Sequence, residues 1–232
     1  ATINIAVAGG SGDLGSRLVR ALLADGSYRV SVLARANPDN KVLDNLRKQG
    51  ASIVIVDYHL HDELVQALQE IDILVCTLYY GAIQELQPLL IRAAAAAGVR
   101  RFVPCDFVDE SIELQSIAHE DPDAVRRDIV KAQLEYTRYY CGTFYRYLPT
   151  LSLGIDLKNR TATIVGKGDK PISLVHDEDL ARFIAASLKD PRSKNTRLGF
   201  QSSTMTYLEL IAAVEKYSGI KLNVKHLPVN PL

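Results

Sequence analysis

The hydrophobic pattern opens with an apolar run, Ile3-Asn4-Ile5-Ala6-Val7-Ala8. Glycines interrupt it at once, and Leu14, Leu18 and Leu22 follow at four-residue spacing. The run predicts a strand and the spacing an amphipathic helix. The alternation then repeats. Arg29 to Leu33 predicts a second strand, Lys41 to Gln49 a helix ended by Gly50, and Ile53-Val54-Ile55-Val56 a strand covered on both faces. Leu60 to Glu70 predicts a helix and Ile71 to Thr77 a strand. Leu86, Leu89, Leu90, Ala93 and Ala97 mark one side of a long helix that Gly98 ends, and Phe102-Val103 belong to a fifth strand closed by Pro104. A further helix is predicted from about Pro122 to Cys141, with Val125, Ile129, Ala132, Tyr136 and Tyr140 as its core stripe, and a strand from Thr143 to Tyr147.

Strands and helices alternating over short connections predict an α/β chain with a Rossmann-like, doubly wound parallel sheet. Right-handed crossovers gather the C-terminal strand ends along one edge, where ligands bind. Beyond Pro149 the rhythm changes. Thr161 to Val165 and Pro171 to Val175 predict short strands around the Gly166-Lys167-Gly168-Asp169 turn. A helix starts near Asp177, and Thr206-Tyr207-Leu208-Glu209 has the form of a capping box opening a helix that Gly219 ends. The expected organisation is a nucleotide-binding domain over residues 1–150. A smaller C-terminal portion over 151–232 contributes to the substrate side and packs back on the sheet.

Composition narrows the partners. Of 232 residues 47% are hydrophobic, so a substantial core is available, and 27 basic residues balance 27 acidic ones. That balance argues against nucleic acid or an anionic membrane and leaves a small molecule as the expected partner. Cys76, Cys105 and Cys141 have no metal-type spacing and read as reduced thiols. His176-Asp177-Glu178-Asp179 reads as a helix start, so no metal is expected. With no signal peptide before the first strand and no apolar run of membrane-spanning length, the expected setting is cytoplasmic.

The chemistry begins at Gly9-Gly10-Ser11-Gly12-Asp13-Leu14-Gly15, between strand and helix. Glycines let backbone N–H groups approach a diphosphate, and the following helix offers unpaired N–H groups and the positive end of its dipole. At the end of the second strand, NAD-binding chains place a carboxylate for the ribose 2′-OH. This chain has Arg35, with Lys41 shortly after, and both suit a 2′-phosphate, so NADP(H) is the expected cofactor. Asp57, after the third strand, lies where a side chain approaches the adenine end. Thr77 and Leu78 end the fourth strand along the cofactor's path, and Cys105 leaves the fifth near the nicotinamide; turn chemistry accounts for each of these equally well. The spacing Tyr-x-x-x-Lys, in which lysine lowers a tyrosine's pKa, occurs only at Tyr217 and Lys221, straddling Gly219, and reads as coincidence. Lys131 falls on the polar side of its helix with Arg127, Glu135 and Arg138. Periodicity gives it a solvated face, and an acid/base role needs a cleft that lowers its pKa.

Taken together, Gly9 to Gly15, Val32-Leu33-Ala34-Arg35, Lys41-Val42-Leu43, Arg101-Phe102-Val103-Pro104, Lys131-Ala132-Gln133 and Asp177-Glu178-Asp179-Leu180-Ala181 resemble the NmrA-like and isoflavone-reductase-like group of atypical short-chain dehydrogenases. The resemblance covers nearly the whole chain. It implies NADPH-dependent reduction of small aromatic or phenolic molecules, with Arg35 and Lys41 on the 2′-phosphate and Lys131 as general acid/base. The family's Pro-Ser-Glu-Phe-Gly is Pro104-Cys105-Asp106-Phe107-Val108 here. The same group also implies an alternative, a coenzyme-sensing regulator of the NmrA type that acts through a protein partner without turnover.

Overall fold

The computed structural model describes residues 2–36, 40–107, 124–148 and 154–229. Val108, Pro122 and residues 151–153 lie outside that set. A seven-stranded sheet forms the larger unit, in the order β11-β6-β5-β4-β1-β2-β3. Its strands are β1 (Ile3–Ala8), β2 (Tyr28–Ala34), β3 (Ser52–Ile55), β4 (Ile73–Cys76), β5 (Arg101–Val103), β6 (Glu135–Cys141) and β11 (Thr196–Phe200). From β3 to β6 each neighbouring pair is parallel. The order reverses beside β1, the topological switch point at which doubly wound sheets bind ligands.

One face carries α1 (Asp13–Asp25), α2 (Lys41–Lys48) and α6 (Asp177–Ser187), with α6 packed on α1. Leu14, Leu18 and Leu22 are buried as their spacing requires. Each such leucine stabilises by about 1.5–3 kcal/mol relative to solvent exposure. The other face carries α3 (His61–Ala67), α4 (Tyr80–Ala97) and α5 (Ala124–Lys131) over a core that includes Ala8, Leu74, Cys76, Leu90, Phe102 and Ile129.

The helix expected from 122 to 141 is instead helix, turn and strand. α5 ends at Lys131, Gln133 takes a left-handed φ of 60°, and Glu135-Tyr136-Thr137-Arg138-Tyr139-Tyr140-Cys141 enters the sheet. Tyrosine and threonine suit a pleated, packed surface, and pairing with β5 overrides the helical reading of the same stripe. Tyr136 still packs on the core, at strand rather than helix periodicity.

The division of the chain also differs from the expected boundary at 150. The larger unit is residues 1–140 with 177–199, and the smaller is 141–176 with 200–232. The interleaving has a physical cause. α6 buries Leu180, Ala181, Ile184 and Ala185, and Tyr28 of β2 donates its hydroxyl to the Ala185 carbonyl at 2.6 Å. The smaller unit holds β7 (Thr143–Phe144), β8 (Ile155–Asp156), β9 (Thr161–Val165), β10 (Pro171–Val175), β12 (Ser203–Thr206), β13 (Asn223–Leu227) and α7 (Tyr207–Ser218). They form the sheets β12-β10-β7 and β13-β9-β8 around Ile155, Ile164, Leu174, Leu210 and Ile211. The capping box at α7 is complete: the Thr206 hydroxyl accepts from the Glu209 backbone N–H, and the Glu209 carboxylate accepts from that of Thr206.

A tie at the end of α1 carries a pH signature. Lys189 donates to Asp25 at 2.6 Å, and that bond, with a further one from Ser27, holds the Asp25 carboxyl below its ordinary 3.8. A depressed folded value means the stabilisation is present above the unfolded pKa and is lost as pH falls through the folded one. Lys189→Met is therefore expected to lower stability by up to about 1 kcal/mol at neutral pH. The gap in Tm from the wild type should close on acidification below 3.8; a gap that is constant with pH would assign the loss to packing of the lysine stem.

Candidate functional site: a glycine turn at the sheet edge

β1 ends at Ala8, and the chain turns on Gly9 with φ of 83°. A side chain there would place its Cβ 2.5 Å from the Thr77 carbonyl oxygen. A Cβ at Gly10 would lie 2.7 Å from Val32 Cγ1 of β2, and one at Gly15 would lie 2.3 Å from the Gly9 carbonyl oxygen and 2.7 Å from the Thr77 hydroxyl. The Gly12 N–H closes the turn on the Gly9 carbonyl at 3.0 Å. β1, β2, β4 and α1 thus converge so tightly that only glycine fits at three of these positions.

Gly12 is the N-cap of α1, and no side chain caps it. The helix start, with Asp13 and Leu14 in its first turn, presents backbone donors at a cradle with no Cβ in the way. This arrangement fits a diphosphate. Ser11 and Asp13 are exposed there, and Leu14 turns into the core. Arg17, one turn along, donates to the Asp13 carbonyl at 2.8 Å. The floor contains a residue the sequence reading missed. Tyr58 is buried beneath the turn, donates to the Leu33 carbonyl at 2.9 Å, and receives a backbone hydrogen bond from Gly9. Burial pushes its phenol well above the ordinary tyrosine range, so it serves as a neutral prop. Its only sequence signal is a tyrosine three residues past the third strand.

Arg35 follows the last residue of β2 and is exposed. Lys41 is the first residue of α2 and also exposed, just after Asn40, whose side chain accepts from the Val42 and Leu43 N–H groups. Asp57 makes a local turn, accepting from the His59 N–H at 2.9 Å. Thr77 donates its hydroxyl to the Ala8 carbonyl at 2.9 Å, fastening β4 to the glycine turn. The Leu78 carbonyl accepts from the Cys105 thiol at 3.3 Å, and the Cys105 N–H donates to Gln87 of α4 at 2.8 Å. A neighbouring Cys76 and burial push the Cys105 thiol up. Cys76 and Cys105 are both free cysteines.

Next along the edge, Asp106 accepts from Arg138 Nε at 2.6 Å, with the two side chains 7% and 1% exposed. The Arg138 guanidinium lies 5.3 Å from the Tyr140 ring centre. Phe107 stacks on Tyr139 at 6.3 Å. Arg138 is expected on a solvated helix face; β6 is instead covered on both faces from Thr137 to Cys141, which takes its side chain out of solvent.

Lys131 is not brought to this edge. Ile5, Ile73, Arg101 and Glu135 share one rung of the sheet. Cys105 lies four residues past that rung toward the ligand edge, about 13 Å along the strands. Lys131 lies four residues before Glu135, exposed at the last position of α5, whose direction carries it to the opposite edge. Lys131→Ala is accordingly expected to leave coenzyme affinity and turnover within about twofold of the wild type, under 0.5 kcal/mol. A tenfold fall in turnover at unchanged Tm would return the lysine to the mechanism. Tyr217 and Lys221 sit in the smaller unit, the tyrosine 81% exposed and the lysine paired with Glu215. Among the described residues there is no cluster able to hold a metal, and no helix is long and apolar enough to cross a membrane.

Comparison with known proteins agrees with this fold. The chain is 28% identical over 240 residues to phenylcoumaran benzylic ether reductase Pyrc5 of Pyrus communis, covering 97% of this chain and 77% of that one. It is 30% identical over 246 residues to isoflavone reductase homolog P3 of Arabidopsis thaliana, covering 98% and 79%. A crystal structure of isoflavone reductase superposes with a TM-score of 0.84 at 26% identity, over 98% of this chain and 80% of that one. The NmrA-like family model matches residues 1–232. With the switch-point glycine turn in place, the chain belongs to the NmrA-like family, among its isoflavone-reductase-like members.

Proposed function

We propose that this protein is an NADPH-dependent reductase of a small aromatic or phenolic molecule. The observation that carries the reading is the glycine turn at the switch point, followed across β2 by Arg35 where a carboxylate would select NAD. Relatives named as phenylcoumaran benzylic ether and isoflavone reductases support the substrate class. When bound, NADPH supplies the hydride. The chain's own part is to hold the diphosphate at Gly9 to Gly15, meet the 2′-phosphate with Arg35 and Lys41, and border the nicotinamide with Thr77, Leu78 and Cys105. Asp57 stands on the adenine side.

Calorimetry with NADPH and NADH tests the coenzyme, and NADPH oxidation across a panel of phenolic substrates tests the reaction. Tight binding of NADPH with turnover is the expected result, and no uptake of either coenzyme by folded protein overturns the reading. One observation favours the coenzyme-sensing regulator instead: the lysine that would move the proton stands at the opposite edge of the sheet. Strong NADPH binding with no turnover on any substrate would select that second reading.

A further inference from the structure

We propose that Arg138 is a positioning residue for the nicotinamide, acting through Asp106 to fix the Pro104–Phe107 segment at the ligand edge. The inference rests on the coenzyme reading above and adds a part to it. Two charges withdrawn from water are weak stabilisers, because desolvation offsets most of their attraction. An apolar residue facing the same core would serve β6 at least as well, yet this strand carries an arginine that is 1% exposed.

Its place in the sheet explains what it does there. Arg138 lies three residues past the Glu135 rung, at the ligand end of β6, and Asp106 lies five past Arg101 on β5. The segment between them is fastened on both sides. Toward β4, the Cys105 thiol donates to Leu78 and its N–H to Gln87; toward β6, Asp106 accepts from Arg138. Within the segment the Asp106 N–H bonds to the Pro104 carbonyl at 3.0 Å, a tight local turn that needs outside support. Phe107 is clamped on Tyr139, whose hydroxyl meets that of Ser187 at 2.7 Å and whose ring meets Phe183 edge-on. The result is one continuous seam, from Gly15 and Gly9 through Thr77, Leu78, Cys105 and Asp106 to Arg138, that ties the diphosphate cradle to the nicotinamide end. A directional, charge-assisted bond holds a backbone segment in one place as an apolar contact does not.

The experiment compares NADPH with 2′-phospho-ADP-ribose, which keeps both phosphate anchors and lacks the nicotinamide. In the wild type NADPH should bind at least tenfold more tightly than this probe, and nicotinamide emission should rise on binding. In Asp106→Asn/Arg138→Met, which removes both charges together, the probe should bind as in the wild type. NADPH should fall to the probe's affinity, with the emission rise lost. Arg138→Lys should restore part of the ratio, an effect that a merely structural role would not produce. A wild-type ratio and emission in the folded double variant overturn the inference. Should the double variant not fold, Arg138→Lys decides alone: an unchanged ratio overturns the inference and a reduced one supports it. Failure of the wild type to bind either compound overturns the coenzyme reading itself, a different outcome.

Discussion

Replacing Gly15 with alanine is expected to reduce NADPH affinity at least a hundredfold, about 2.7 kcal/mol. The added Cβ would sit 2.3 Å from the Gly9 carbonyl oxygen and 2.9 Å from the Gly10 Cα. Those are backbone atoms, so no side chain can swing aside to admit it. Either α1 retreats from β1 or the Gly9 turn opens, and both displace the N–H groups that the diphosphate needs. Overpacking of this kind costs about 1–3 kcal/mol of stability, so the fold should survive with a lower Tm. Gly12 provides the internal comparison. Its φ is −75°, and a Cβ there meets only the Gly9 oxygen at 3.3 Å. Gly12→Ala should therefore weaken binding by no more than about tenfold, or 1.4 kcal/mol. Calorimetry on the two variants checks the ordering. Equal affinities for Gly15→Ala and the wild type would mean that the diphosphate does not sit on this turn.

The second large effect is expected at Arg35. Arg35→Glu should weaken NADPH about a hundredfold or more, because a charge-assisted bond to the 2′-phosphate is exchanged for repulsion. NADH should lose little, since a carboxylate at the end of β2 accepts from the ribose 2′-OH. Lys41→Gln should give a smaller change in the same direction, about tenfold, because lysine meets phosphate as a point charge and lacks the guanidinium fork. Both side chains are exposed, so neither substitution should move Tm appreciably, and the effect should shrink as salt rises. Dissociation constants for both coenzymes at two ionic strengths check this. An equal loss for NADPH and NADH would show that Arg35 does not read the phosphate.

Much of the coenzyme half was legible because its signals are local. A strand needs a run, a helix needs a period, and the turn needs glycines; these are properties of consecutive residues, so β1, the glycine turn, α1, β2 and α2 could be placed from the chain alone. The helix starts at Asp177 and Thr206 were legible for the same reason, the first from the acidic residues of its opening turn and the second from a cap satisfied within one turn. Arg35 and Lys41 followed from their distance beyond the glycines.

The region from 124 to 141 was not legible, and the reason is instructive. Val125, Ile129, Ala132, Tyr136 and Tyr140 satisfy a helical stripe, yet Gln133 breaks the helix and β5 offers an open edge that claims the last seven residues. Once that happens every side chain is reassigned. Arg138 moves from solvent to a buried bond with Asp106, and Lys131 falls at the sheet edge opposite the glycine turn. Tyr58 is a similar case, its role set by Leu33 and Gly9 from elsewhere in the chain.

The sequence by itself determined a doubly wound sheet with a glycine turn after β1 and two cations, Arg35 and Lys41, beyond β2, because those features are written in short-range periodicity and backbone permissiveness. Only the tertiary structure decided which residues share the ligand edge and which units the chain divides into. Strand order and register are set by pairing between distant segments, and a shift from helix to strand at one glutamine redirects every side chain that follows.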